Sequence, residues 1–166
     1  MADAAGGRAV KRRLFLAVLV LFLPAAAHAA TCTVSATPIS FGTYIPSNAG
    51  PTDDTARVQV TCTAINQTVS YTIALNAGLN SGGSFANRRM SNSGFVLLYQ
   101  IYTTAARTTV WGDGTGGTSI VSDSYNCGRC NNRRRNYTTY GRLPGLQWAA
   151  APGSYSDTIT ATVTFN

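Results

Sequence analysis

Thr158-Ile159-Thr160-Ala161-Thr162-Val163-Thr164-Phe165-Asn166 has a strict period of two. Ile159, Ala161, Val163 and Phe165 fall on one side, and Thr158, Thr160, Thr162 and Thr164 on the other. Successive side chains of a strand point to opposite faces, so this spelling is a half-buried β-strand rather than a helix. The same period recurs upstream. Thr55 to Ala64 places Ala56, Val58, Val60, Cys62 and Ala64 on one face, and Val69 to Leu75 does so with Val69, Tyr71, Ile73 and Leu75. Phe95 to Thr103 is apolar on both faces at its start and then settles into Leu97, Tyr99, Ile101, the pattern of a central strand. Gly-, Asn- and Pro-rich stretches separate these runs at 46–51, 78–83, 112–117, 126–136 and 144–153, each an expected turn or loop. From residue 30 onward no segment sustains an apolar pattern at i, i+3 and i+4. Many short strands between such turns predict an all-β, antiparallel sandwich.

Composition supports that reading. The chain has 166 residues, of which 11% are charged and 45% hydrophobic, which excludes disorder and coiled coils and fits one domain. Of its net charge of +7, four basic residues and one Asp place +3 in residues 1–29 and leave +4 in residues 30–166. Arg8, Lys11, Arg12 and Arg13 precede the apolar run 14–23, and Ala27-His28-Ala29 supplies a small-residue cleavage site. Residues 1–29 therefore read as a secretory signal peptide, and 30–166 as the folded domain. The apolar run is too short to span a bilayer, so no stable membrane insertion is expected after cleavage. Residues 30–166 contain nine Arg, five Asp and no Lys, Glu or His, and about a quarter of them are Ser or Thr.

Without His or Glu the domain lacks the constellation that nucleophilic or acid–base catalysis needs, and no enzyme, cofactor or metal site is assigned. The loop Trp111 to Gly117 (WGDGTGG) lacks the Lys of a phosphate loop and the repeated acids of a calcium loop. It reads as a glycine-rich connection. Asp53, Asp54 and Asp157 occupy turns or strand starts, where carboxylates cap backbone groups.

Export places the four cysteines in an oxidising compartment. They allow three pairings, and the proximity of Cys127 to Cys130 favours Cys32 with Cys62 and Cys127 with Cys130. The first bridge would contribute ~3.7 kcal/mol by loop closure. Cys127-Gly128-Arg129-Cys130 spells a redox motif, but no helical pattern follows it, so a staple within a loop is the expectation. The same stretch holds Arg129, Arg133, Arg134 and Arg135, a possible anionic-ligand loop suited to carboxylates or phosphates.

The ordered set Cys32-Thr33-Val34, Phe41-Gly42-Thr43-Tyr44, Val60-Thr61-Cys62, Arg89-Met90, Leu98-Tyr99, Ile101-Tyr102, Thr109 to Gly114, Tyr140-Gly141-Arg142 and Gly153 to Thr158 resembles the spore coat protein U domain family. That family is similar to the pilin subunits of archaic-type chaperone-usher pili of Gram-negative bacteria. The resemblance implies an immunoglobulin-like sandwich lacking its final strand, with Cys32 and Cys62 paired. It implies passage through the periplasm to a cell-surface fibre used in adhesion and biofilm formation. Its partners would be a periplasmic chaperone, an outer-membrane usher and other pilus subunits, with no nucleic acid.

The resemblance also implies donor-strand complementation. The sequence sharpens that expectation at Ile159, Ala161, Val163 and Phe165, where a strand with no successor would leave an acceptor edge. Cleavage after Ala29 would leave too few residues before Cys32 to donate a strand in turn, which suggests a terminal or accessory subunit, or a self-complete coat protein, rather than a repeating shaft subunit. The alternative is a stand-alone extracellular module that binds acidic glycans through the Arg-rich loop.

Overall fold

The computed structural model describes residues 30–166, and the expected signal peptide lies outside them. Within that span the chain runs through β1 (Thr31–Ala36), β2 (Thr52–Leu75), β3 (Arg89–Asn92), β4 (Phe95–Leu98), β5 (Gln100–Tyr102), β6 (Val121–Leu143) and β7 (Ala161–Phe165). A single 3-10 turn at Phe85–Asn87 precedes β3. Strands follow the order β1-β2-β6-β5, β7 also pairs with β2, β3 pairs with β4, and every ladder is antiparallel. The expected all-β antiparallel sandwich is what the chain forms.

The two long strands decide the architecture. β2 has 24 residues and β6 has 23, paired from Thr52↔Leu143 to Ile73↔Val121. A straight twelve-residue strand spans ~40 Å. Yet Arg135 Nε lies 2.7 Å from Asp123 Oδ2 on the same strand, and Tyr71 and Tyr137 hydroxyls are 2.6 Å apart. The β2–β6 ribbon therefore folds over on itself. Residues 52–62 and 133–143 form one layer with β1, and residues 64–75 and 121–130 form the other with β7.

A register shift between Cys62 and Ala64 marks the corner, where Asn66 and Asn132 take left-handed φ values of 51° and 54°. Asn tolerates that conformation, and a bulge bends its strand, so this is how one ribbon can serve two layers. Cys32–Cys62 ties β1 to β2 just before the corner, and Cys127–Cys130 bridges β6 beside it.

The inward positions are those the alternation predicts. Val58, Val60, Cys62 and Ala64 face Val69, Tyr71, Ile73 and Leu75, and all are buried. Each large aliphatic side chain so buried contributes ~1.5–3 kcal/mol. Trp111 is fully enclosed, and its indole N–H donates to the Ile73 carbonyl at 3.0 Å, leaving no buried donor unpaired there.

Three local expectations change. Phe95 to Thr103 is not one central strand: it breaks at Tyr99, β4 joins β3, and β5 sits at the rim beside β6. The Tyr99 N–H still goes to the Arg88 carbonyl, one step beyond the β3–β4 pairs, whereas the Ile101 N–H is diverted to the Gln100 side chain, so the backbone changes partner between them. Residues 126–136 are not a loop but the middle of β6. The bulge shifts the inward phase there, so the polar run shows no period of two. The final strand begins at Ala161 rather than Thr158, because Thr160 exchanges hydrogen bonds with Asn76 instead.

Candidate functional site

β1 and β7 pair with the same edge of β2, β1 along 58–63 and β7 along 71–75. Folding the ribbon brings that edge round, so β1 and β7 become the two lips of one open side of the sandwich. Between them runs a groove of about 520 Å³. Ala36, Ile39 and Phe41 form one wall, Ile159 and Ala161 the other, and Val58, Leu75 and Ile101 lie at its floor. A second hollow of about 260 Å³ shares Ile39, Phe41 and Tyr155 and extends toward Leu143.

Both lips offer backbone as well as side chains. Asn166 N–H donates to the Ser70 carbonyl, and Asn76 N–H to the Thr160 carbonyl. Antiparallel partners alternate between bonded and non-bonded pairs, so Thr162 and Thr164 carry the bonds to β2. The N–H and C=O of Ala161, Val163 and Phe165 therefore point away from β2. On β1 the Thr37 N–H reaches the Arg57 carbonyl, while Cys32 and Cys62 sit with Cα atoms 4.1 Å apart, the spacing of a non-bonded pair. Cys32, Val34 and Ala36 thus also aim their backbone groups outward. Their inward side chains are incompletely covered, with Val34 41% exposed on one lip and Phe165 46% exposed on the other.

Of the residues the sequence singles out on this edge, Ile159 and Ala161 line the groove, Val163 packs half-buried against the core, and Phe165 stacks edge-on against Tyr71. Ile39 and Phe41 were not singled out as wall residues, since no alternation surrounds them. What places them is Gly141 of β6, about a hundred residues along the chain. A Cβ there would lie 2.8 Å from Phe41 Cζ and 3.0 Å from Ile39 Cγ2, so glycine is what lets this lip lie flat on β6.

A half-buried polar network fixes the start of the second lip. Asp157 Oδ1 accepts from the Leu79 N–H at 3.0 Å and from the Asn80 side-chain amide at 2.9 Å, while Oδ2 accepts from Tyr99 Oη at 2.7 Å. The capping role read for Asp157 is therefore the one it fills. Burial, reinforced by that carboxylate, raises the Tyr99 pKa well above the ordinary phenol value. Arg88, wholly enclosed, bonds the Gln100 side chain and the Asn76 carbonyl, and burial lowers its pKa.

The opposite side of the sandwich is closed by different chemistry. β6 is paired with β5 only along Gln100–Tyr102, so much of its outer edge has no strand beside it among the described residues. There Arg135 holds both oxygens of Asp123 at 2.7 and 3.0 Å, and Tyr137 also donates to Asp123. Arg133 and Arg135 lie 4.7 and 5.3 Å from the Tyr125 ring centroid. The Arg135 guanidinium holds the Asp123 carboxyl below its usual pKa, against the opposing effect of burial. Inward-pointing charges protect a sheet edge from strand addition, so one side is sealed by ions and the other is open and apolar.

This divides the four arginines read as one anionic-ligand loop. Arg135 is taken by Asp123, and Arg133 covers Tyr125 on the inward face. Arg129 and Arg134, exposed like Arg133, point outward from different layers, opposite Ile65 and Thr61 on either side of the corner. The group lies on a strand because residues 126–136 find their backbone partners on β2, and it does not form one surface. Cys127 and Cys130 form a buried disulfide.

Comparison with known proteins agrees with this architecture. A model of the Spore Coat Protein U domain matches residues 18–162. Among solved structures, a chain in the complex of the chaperone CsuC with the tip adhesion subunit CsuE, from archaic chaperone-usher Csu pili of Acinetobacter baumannii, superposes with a TM-score of 0.52 at 23% identity. The likeness covers 81% of this chain and 39% of that one, and it is a likeness of fold. A comparison with curated proteins finds no match.

Proposed function

The chain belongs to the Spore Coat Protein U domain family, and on that premise we propose that it is a structural subunit of a chaperone-usher type surface fibre, completed by a strand from a partner. The observation that carries the reading is the groove between β1 and β7. An extended segment laid there meets outward backbone groups on both lips, and its alternate side chains enter the apolar floor between Val58, Leu75 and Ile101. Each well-buried aliphatic side chain of the incoming strand would contribute ~1.5–3 kcal/mol. A periplasmic chaperone would occupy the groove first and a neighbouring subunit later, with assembly through an outer-membrane usher. Adhesion and biofilm formation are the roles that such fibres serve.

The role is structural rather than catalytic. From residue 30 onward the chain has no His and no Glu, and the most enclosed polar network, around Asp157 and Arg88, is consumed in holding the second lip.

Co-expression of the full chain with the periplasmic chaperone of its own bacterium tests the proposal. A stable one-to-one complex is expected, lost when Ile159 and Phe165 are both changed to Asp in a variant that keeps its two disulfides. A chain that accumulates as a monomer and ignores both the chaperone and strand-forming peptides would overturn it.

A further inference from the structure

On the strand-acceptor reading above, we infer that the strand filling the groove carries a hydrogen-bonding side chain, a hydroxyl or a carboxamide, at the inward position that falls over Thr139. Among the described residues five buried side-chain atoms have no hydrogen-bond partner, and Thr139 Oγ1 is the one whose residue also lines the groove. Thr139 is only 6% exposed. It stands on β6, between β2 and β5, in the same inward row as Tyr137 and Gly141, which pair with Val58 and Ile101. The orphan hydroxyl therefore belongs to the apolar floor and not to the rim.

The other polar side chains of the groove are accounted for. Thr37 Oγ1 accepts from the Arg57 N–H at 2.9 Å, Tyr155 Oη donates to the Ala151 carbonyl at 2.8 Å, and Tyr99 Oη donates to Asp157 at 2.7 Å. Ser156 and Thr158 are exposed, where water satisfies a hydroxyl. Thr139 alone holds a polar atom that is both enclosed and unanswered. A buried group of that kind calls for an explanation. Valine has nearly the same shape, and a floor that met only apolar side chains would lose nothing by having valine there.

The partner strand supplies that explanation. Its backbone groups engage the outward N–H and C=O of β1 and β7, in the plane of the lips, so only its inward side chains reach the floor. The Thr139 hydroxyl can both donate and accept. A turn about χ1 exchanges it with the methyl and brings it to the groove side without moving β6. A hydroxyl or carboxamide lying over it then completes a hydrogen bond in a site closed to water. An aliphatic side chain in the same place leaves the hydroxyl with no partner at all. The position thus discriminates among strands of equal apolar content, and it does so by an unmet polar group rather than by a clash.

Peptide binding to the purified chain, with both disulfides formed, tests this. The probes are a strand-forming peptide with valine at every inward position and a set in which one inward valine at a time becomes threonine. One member of the set is expected to bind about tenfold tighter than the all-valine peptide, and the others more weakly. With Thr139→Val the order reverses, and the all-valine peptide binds tightest. Thr139→Ser, which keeps the hydroxyl, retains the wild-type preference. Thermal unfolding confirms that each variant is folded; a merely structural Thr139 would shift Tm and leave the ranking of peptides alone. The all-valine peptide ranking first on the wild-type chain, or an unchanged ranking on Thr139→Val, would overturn the inference and leave strand acceptance standing. Failure of every peptide on every variant would overturn it too, and chaperone capture then decides separately whether the strand-acceptor reading survives.

Discussion

The guanidinium of Arg135 grips both carboxylate oxygens of Asp123, at 2.7 and 3.0 Å, although the two residues lie twelve positions apart on one strand. The contact exists because that strand crosses from one layer of the sandwich to the other. It also divides the molecule's two sides. Where Asp123 and Arg135 face inward, an added strand would meet an ion pair; where β1 and β7 face one another, it would meet Ile159, Ala161 and Phe41.

Asp123→Asn should reveal the pair through pH. The native carboxyl titrates below the ordinary value of ~3.9, so the native state binds fewer protons than the unfolded chain in that window. The stabilisation is fully present above the unfolded value and disappears as pH falls through the native one. Because the Arg135 side chain is 39% exposed, the expected loss at pH 7 is only about 1 kcal/mol. Urea unfolding from pH 7 down to pH ~2 should show the wild-type and variant curves converging.

The two disulfides should differ in weight. Cys32 and Cys62 are 30 positions apart and Cys127 and Cys130 are 3 apart. Loop-closure entropy assigns about 3.7 kcal/mol to the first and about 2 kcal/mol to the second. Guanidinium unfolding of the Cys32→Ala/Cys62→Ala and Cys127→Ala/Cys130→Ala variants checks the order, and a larger loss from the second pair would contradict it.

Much of this arrangement is legible in the sequence, and the gaps have a common cause. Val58, Val60 and Cys62, then Val69, Tyr71 and Ile73, are read correctly as inward because period-two alternation is local. The continuity of β2 through residues 65–68, and of β6 through 126–136, is hidden because a bulge resets the phase of alternation. What looks like a break in pairing is the corner of the sandwich. Distance in sequence hides the rest. Nothing beside Arg135 names Asp123, and nothing beside Ile39 names Gly141.

Gly141→Val should disturb the groove selectively. The added Cβ would lie 2.8 Å from Phe41 Cζ, and the branches would crowd it further. The 39–41 lip must lift, at a cost of about 1–3 kcal/mol. Chaperone capture should fall along with stability. Gly50→Ala, where a Cβ meets nothing within 4 Å, should change neither.

Asp157→Ala should loosen the start of the second lip. It strips partners from the Leu79 and Asn80 N–H groups, the Asn80 amide and the Tyr99 hydroxyl, which is buried. A loss of about 2–3 kcal/mol is expected, read as a lowered Tm. Gly78→Ala should mimic it, since its Cβ would fall 2.1 Å from Asp157 Oδ2 at a backbone φ of +94°.

The folded-over ribbon also sets a timetable. β2 pairs Thr52 with Leu143 and Ile73 with Val121, so even its nearest partners on β6 lie far along the chain. Pairings of such range form late and slowly. As the chain folds, β2 must wait for β6 with Val58, Val60, Val69 and Ile73 incompletely covered. β1 can dock earlier, since it precedes β2 and pairs with the edge that β6 leaves free, but β7 lies beyond β6 in the chain, so the second lip is completed last. The molecule passes through its most aggregation-prone interval before it has a complete groove to offer.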